Sequence, residues 1–297
     1  MGALLGTQAT AGLNAAEIGL AWGQTIVAGT YEVGAPDLEN NPVRNETIDR
    51  AYALADTPTT NAQFAAGLRQ LEGRTTVLMT TLPKNRWAIL ARGTEEEIRE
   101  IDMKRLTEIV VSLVPQQPSF IKVGDYFASG ALRAFDLGEA PMIRIVPVTL
   151  EAHFPEGFDR PNQPALTSPF ESSAFAALFG LELPTGVEWE VAAADLRDER
   201  YRNEKNLRRV AHFHPTRATA DVKTKEPNEL GYFDMLGNTW EAMANPYIEG
   251  EENREFRGGC WFNRPERVRA AIRYGSHPDG WDNDRGFRLL RFQDSPG

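Results

Sequence analysis

Five side chains in this sequence are of types that do chemistry most readily: Cys260, the one cysteine, and the four histidines His153, His212, His214 and His277. A single thiol can form neither an internal disulfide nor a cysteine pair that would hold a soft metal. Cys260 lies between Gly259 and Trp261 in a strand-like run, where a small buried side chain is expected. A reactive thiolate would need an open, electropositive setting. In "HFH", residues 212–214, the two rings share a face if the run is a strand, and they could then chelate a metal. No clear third ligand accompanies them, so they are read as polar surface. The acidic run "TEEEIRE" opens a helix, where negative charge suits the helix dipole. Phosphate-cradling loops and dinucleotide fingerprints do not occur, nor does a nucleophile elbow.

The elements that would position any site must come from a chain of 297 residues with a formal net charge of −10. That charge argues against a nucleic-acid partner, which needs a basic face, and against adhesion to anionic lipid. Hydrophobic residues at 41% allow a sizeable core. No run of about 18 apolar residues occurs, so no membrane insertion is expected. The apolar N-terminus lacks a basic region and is interrupted by Glu17, which does not read as a secretory signal. A cytoplasmic location is the default expectation.

Alternation and β-branched residues predict strands over 24–34 and 46–56. Thr60 and Gln63 then form a capping box for a helix that Gly73 can close. "RTTVLMTTL" and "RWAILAR" read as a hairpin. Thr94 and Glu97 form a second capping box, followed by a helix with Ile98, Ile101, Leu106, Ile109, Val110 and Leu113 on one face. "PMIRIVPVTL" is a further strand. Ser168, Pro169 and Glu171 start a helix striped by Phe170, Ala174, Phe175, Leu178 and Phe179, and Thr185 with Glu188 starts another. Residues 195–230 are polar and irregular, and read as an ordered surface excursion. Gly237 and Asn238 form a turn pair, both tolerant of positive φ. Beside them Trp240 is expected to be buried, with its indole N–H on a carbonyl. The glycines of "RGG" permit close backbone approach, and Arg257 and Arg288 could clamp carboxylates or carbonyls near the sheet ends.

From Pro184 onward the pieces "LPTGVEWEVAA", "NELGYFDMLGNTWEAMANPY", "FRGGCW" and "RGFRLL", in this order, resemble the formylglycine-generating enzyme (sulfatase-modifying factor) family. The resemblance implies an α+β domain with a variant of the C-type lectin fold. Its core would cover about 24–70 and 141–295, with an insertion at about 71–140. The family's enzymes use a cysteine pair that binds copper for oxygen chemistry; Cys260 alone cannot supply it, so the chain is expected not to be an enzyme. The resemblance also leaves a rival open, a metal- or oxygen-dependent enzyme of the formylglycine-generating or sulfoxide synthase superfamily. A turn like "GNTWE" helps to hold structural calcium in the family, which would make Asn238 and Glu241 candidate ligands; no other cofactor is implied.

Residues 256–292, "FRGGCWFNRPERVRAAIRYGSHPDGWDNDRGFRLLRF", have a regular frame and an irregular filling. Their layout resembles the variable proteins of diversity-generating retroelements, in which adenine-directed mutation scatters asparagine codons into other residue types. That resemblance marks Phe262, Asn263, Arg264, Arg267, Ile272, Tyr274, Gly275, Ser276, His277, Gly280, Trp281, Asp282, Asn283 and Asp284 as ligand-binding positions. Aromatic, glycine and small polar residues together are the composition of antibody paratopes. The expected partner is a protein of unknown identity.

Overall fold

The computed structural model describes residues 13–82, 86–99, 133–135 and 143–293. The chain opens with an antiparallel hairpin, β1 (Gly29–Val33) and β2 (Arg44–Ile48). A short inward strand follows, β3 (Tyr52–Leu54). The two long strands expected over 24–34 and 46–56 are therefore broken into shorter pieces. Tyr52 explains the break: it is fully buried and its hydroxyl donates to the Glu188 carbonyl, so β3 turns into the core while β2 stays at the surface.

The capping box at Thr60 forms as expected and starts α1 (Asn61–Arg69). Phe64 of this helix stacks on Phe175, ring centroids 4.7 Å apart, and meets Phe287 edge-on at 6.3 Å. Then come β4 (Thr76–Leu82), β5 (Arg86–Gly93), α2 (Glu95–Arg99), β6 (Arg133–Phe135) and β7 (Ile143–Thr149). Their four strands form one antiparallel sheet in the order β5-β4-β7-β6. Thr94 and Glu97 make the reciprocal bonds of the second capping box, and Ile98 is buried. The stripe positions from Ile101 to Leu113 lie outside the described residues. Val77, Met79, Ile89 and Val148 join this sheet to the cluster around Phe64 and Phe175.

Among the described residues the remaining α-helices are α3 (Pro169–Leu178), α4 (Gly186–Ala192) and α5 (Glu204–Val210); the first two carry the capping boxes of Ser168 and Thr185. The polar stretch from 195 is ordered by two short 3-10 turns and α5, and it buries Leu196, Leu207 and Phe213.

The C-terminal part holds β8 (Ala211–His212), β9 (Leu236–Gly237), β10 (Trp240–Pro246), β11 (Arg254–Arg257), β12 (Tyr274–Ser276), β13 (Arg285–Gly286) and β14 (Leu290–Phe292). Four of them form a sheet in the order β12-β11-β10-β13, with β10 and β13 parallel. β14 closes the domain by pairing with β3 near the start of the chain. Among the described residues, no helix is long and apolar enough to cross a membrane.

Candidate functional site

The frame of segment 256–292 is set in a buried ionic lattice. Arg257 donates to Glu190 at 2.9 Å and to Glu255, and Arg273 also holds Glu255. Arg288 grips both oxygens of Glu241, at 2.6 and 2.7 Å, and the Trp189 indole N–H donates to Glu241 at 2.7 Å. Arg257 and Arg288 thus clamp carboxylates as the sequence suggests. Such groups tolerate burial only because their partners satisfy them together. Burial alone would raise the Glu255 carboxyl, but Arg257 and Arg273 outweigh it and hold it below its ordinary range.

The turn after β11 needs glycine. Gly258 (φ +93°) and Gly259 (φ +81°) lie in the left-handed region. A Cβ on Gly258 would stand 2.6 Å from the Met235 carbonyl oxygen. Gly237 and Asn238 likewise have positive φ, as their turn requires. Trp240 is buried and its ring lies 5.4 Å from that of Tyr274; the indole-to-carbonyl bond expected of it is made by Trp261, to Asn283.

Cys260 is fully buried. Burial, then the neighbouring Asp284 carboxylate, push its thiol well above its ordinary value, so it is held protonated. His212 is half-buried, its Nε2 lies 3.1 Å from the Ala218 carbonyl oxygen, which accepts, and burial lowers its pKa, while His214 is exposed. Among the described residues, no group of three or more His, Cys, Asp and Glu side chains could hold a metal ion.

The filling separates into three classes. Phe262, Arg264, Arg267, His277, Trp281 and Asp282 are exposed, and the two aromatics keep 46% and 40% of their surface. Asn263, Ile272, Tyr274, Gly275, Ser276, Gly280 and Asn283 are half-buried. Several of these have structural contacts: the Asn263 side chain accepts from the Cys260 N–H, and Tyr274 packs on Trp240 and Phe256. A Cβ on Gly275 would come within 2.7 Å of the Tyr247 ring, and one on Gly280 within 2.8 Å of the Arg285 guanidinium. Asp284 differs from the expectation of a surface position. It is only 5% exposed, turned inward toward Cys260 and Arg285, and burial, then Asp282, push its carboxyl up to about 6.

The calcium reading of "GNTWE" does not fit. Asn238 accepts from the Ala220 N–H and donates back to its carbonyl, and Glu241 is taken by Arg288 and Trp189. Neither side chain has oxygens free for the six to eight that calcium requires. Sequence reasoning missed two features. Asp234 is buried and pushed by burial up to about 6; Lys223 N–H donates to one of its oxygens and the other has no partner. A groove of about 740 Å³ lies between the β1–β2 hairpin and the start of α4, lined by Arg44, Glu188, Asn245 and Arg273 among others. Most of its walls come from residues 40–50 and 182–188, outside segment 256–292, and no periodicity in the sequence marks it.

Fold and frame together define a C-type lectin fold in its formylglycine-generating-enzyme-like variant. The chain belongs to the family of the sulfatase-modifying factor enzyme 1-like domain, which it matches over residues 23–293. It is 30% identical over 142 residues to the mouse (Mus musculus) inactive C-alpha-formylglycine-generating enzyme 2, covering 40% of this chain and 45% of that one. It is 29% identical over 140 residues to the serine/threonine-protein kinase pkn1 of Chlamydia pneumoniae, covering 41% of this chain and 23% of that one. The matches thus span about a quarter to a half of these relatives' length. Among solved structures, Treponema denticola variable protein 1 superposes with a TM-score of 0.55 at 16% identity, covering 90% of this chain and 94% of that one. PvdO from Pseudomonas aeruginosa gives 0.55 at 17% identity, covering 91% and 93%. At such identities the structural likeness concerns the fold.

Proposed function

We propose that the protein is a non-enzymatic display protein that binds a target, a protein, through the exposed filling of segment 256–292. On this reading a retroelement diversifies that filling. The observation that carries it is the division within one segment. Arg257, Cys260, Phe287 and Arg288 are fully or almost fully buried, whereas Phe262, Arg264, Trp281 and Asp282 project outward between them. Exposed aromatics on a rigid support are the usual energetic centres of an interface. The fold shared with a variable protein supports the same reading.

The test is a protein array probed with the full chain and with a variant in which Phe262, Arg264, Trp281 and Asp282 are all alanine. At least one protein should bind the parent and lose the variant. Equal binding by both would contradict the reading. Diversification has its own test: a neighbouring reverse-transcriptase gene with a near-copy of this gene's 3′ end that differs at adenines. The rival reading rests on 30% identity over 171 residues with the formylglycine-generating enzyme of Streptomyces coelicolor, covering 46% of this chain and 54% of that one. Stoichiometric copper or iron in the purified protein would favour it.

A further inference from the structure

The exposed filling has neighbours that lie outside its own segment. The Trp281 ring sits 5.0 Å from the His153 imidazole, tilted by 44°. His153 comes from the stretch after β7, and its Nε2 is 3.0 Å from Glu171 Oε1. Glu171 is itself only 6% exposed, and its second oxygen accepts from the Ser168 N–H in the capping box of α3. The Phe170 N–H donates to the Pro278 carbonyl and ties the loop bearing Trp281 to the same helix start. His153 is therefore a prepared support for Trp281. Phe154, next in the chain, leaves 38% of its surface exposed.

The exposed charges around this support are carboxylates. Asp279, Asp282 and Glu252 are exposed, and Glu252 and Asp279 each lie 3.8 Å from a His277 ring nitrogen. Glu151, two residues before His153, is exposed as well. The nearby guanidinium of Arg285 is engaged by the Gly280 carbonyl, the Tyr274 hydroxyl and Asp282, and its side chain is 11% exposed. The Phe262 end of the face carries Arg264 and Arg267, with the exposed Glu266 beside them, and so is net basic.

Resting on the display reading above, we infer that the Trp281 end takes a cationic side chain, arginine or lysine, of a protein partner, and that His153 and Phe154 are binding residues contributed by the frame. An aromatic face rimmed by carboxylates attracts a guanidinium or ammonium through both the ring and the rim. The opposite charge at the Phe262 end sets the partner's orientation.

A random dodecapeptide library displayed on phage, panned against the immobilised full chain, tests this. Selected clones are then measured on Phe154→Ala, Trp281→Ala and Phe262→Ala, each first checked for an unchanged unfolding midpoint. The clones should be enriched in arginine and lysine, and should weaken about tenfold on both Phe154→Ala and Trp281→Ala, as expected for interface hot spots. Clones that depend on Trp281 or Phe262 but show no basic enrichment, or ignore Phe154→Ala, overturn this inference and leave the display reading standing. Clones that none of the three substitutions weakens overturn both. Retention no better than on the bare support overturns the inference.

Discussion

Arg257 and Arg264 stand on either side of one turn, yet they live by opposite rules. Arg257 is 1% exposed and held by Glu190 and Glu255. Arg264 is exposed, on the rim of the tip. The same contrast recurs at the end of the segment, between Arg288, locked onto Glu241, and Asp282 in water. The lesson concerns where specification resides. Frame residues are fixed by several partners at once, so changing one strands the others. The exposed residues of the filling, at the tip of the segment, are held by backbone that the frame has already placed, so the fold leaves their identity free.

The contrast breaks most visibly at Arg288. Arg288→Ala leaves Glu241 buried without its partner and should lower unfolding free energy by about 3–5 kcal/mol in urea titration. Replacing both members, with Arg288→Met and Glu241→Leu, should recover much of that loss, because the stranded charge is gone. A loss for Arg288→Ala below about 1 kcal/mol would mean that the lattice is not structural.

Gly275 sharpens the boundary. Gly275→Val drives a side chain into the body of the Tyr247 ring and should cost about 1–3 kcal/mol by the same titration. Gly280→Ala should cost less, since it adds one methyl that meets the end of the Arg285 side chain rather than a ring, although that guanidinium is engaged and the His277 carbonyl is 3.0 Å away. These two positions look free in the sequence and are constrained in space.

A smaller effect follows from pH. Asp234 and Asp284 are both pushed up to about 6, above the ordinary carboxyl value of 3.8. A raised folded-state value contributes stability that is fully present below about pH 4 and lost as pH rises through 6. Taken alone, these groups should make the thermal midpoint rise as pH is lowered from 7 to 5. Asp37 and Glu255 are shifted downward and add a loss only at lower pH. Asp284→Asn should flatten the rise between pH 7 and 5; an unchanged slope would show that Asp284 does not titrate there.

Much of the frame was legible because its signals are local. The capping boxes at Thr60, Thr94, Ser168 and Thr185 each lie within four residues and form as expected. Gly237 and Asn238 adopt the positive φ that their turn suggested, and Gly258 and Gly259, read only as places of close backbone approach, adopt it too. The arginine clamps were readable as clamps, but not their partners, because Glu190 and Glu241 are brought in by tertiary packing. Sheet order was hidden for the same reason: β10 pairs in parallel with β13, and β3 with β14, across long stretches of chain. At the tip, residue type suggested exposure equally for Asp282 and Asp284. Only packing turns Asp284 inward, and only packing brings His153 against Trp281. Tyr274 stands between the two classes, half-buried against Trp240, so its loss should lower both stability and binding.

The central claim is that the tip binds without holding the fold together. The most direct measurement is the unfolding free energy of the variant with Phe262, Arg264, Trp281 and Asp282 all replaced by alanine, compared with the parent. Each exposed change should cost no more than about 0.5 kcal/mol, so the variant should unfold within about 2 kcal/mol of the parent in a single transition. A loss of about 4 kcal/mol or more, or a split transition, would show that these side chains are part of the structural interior and contradict the account.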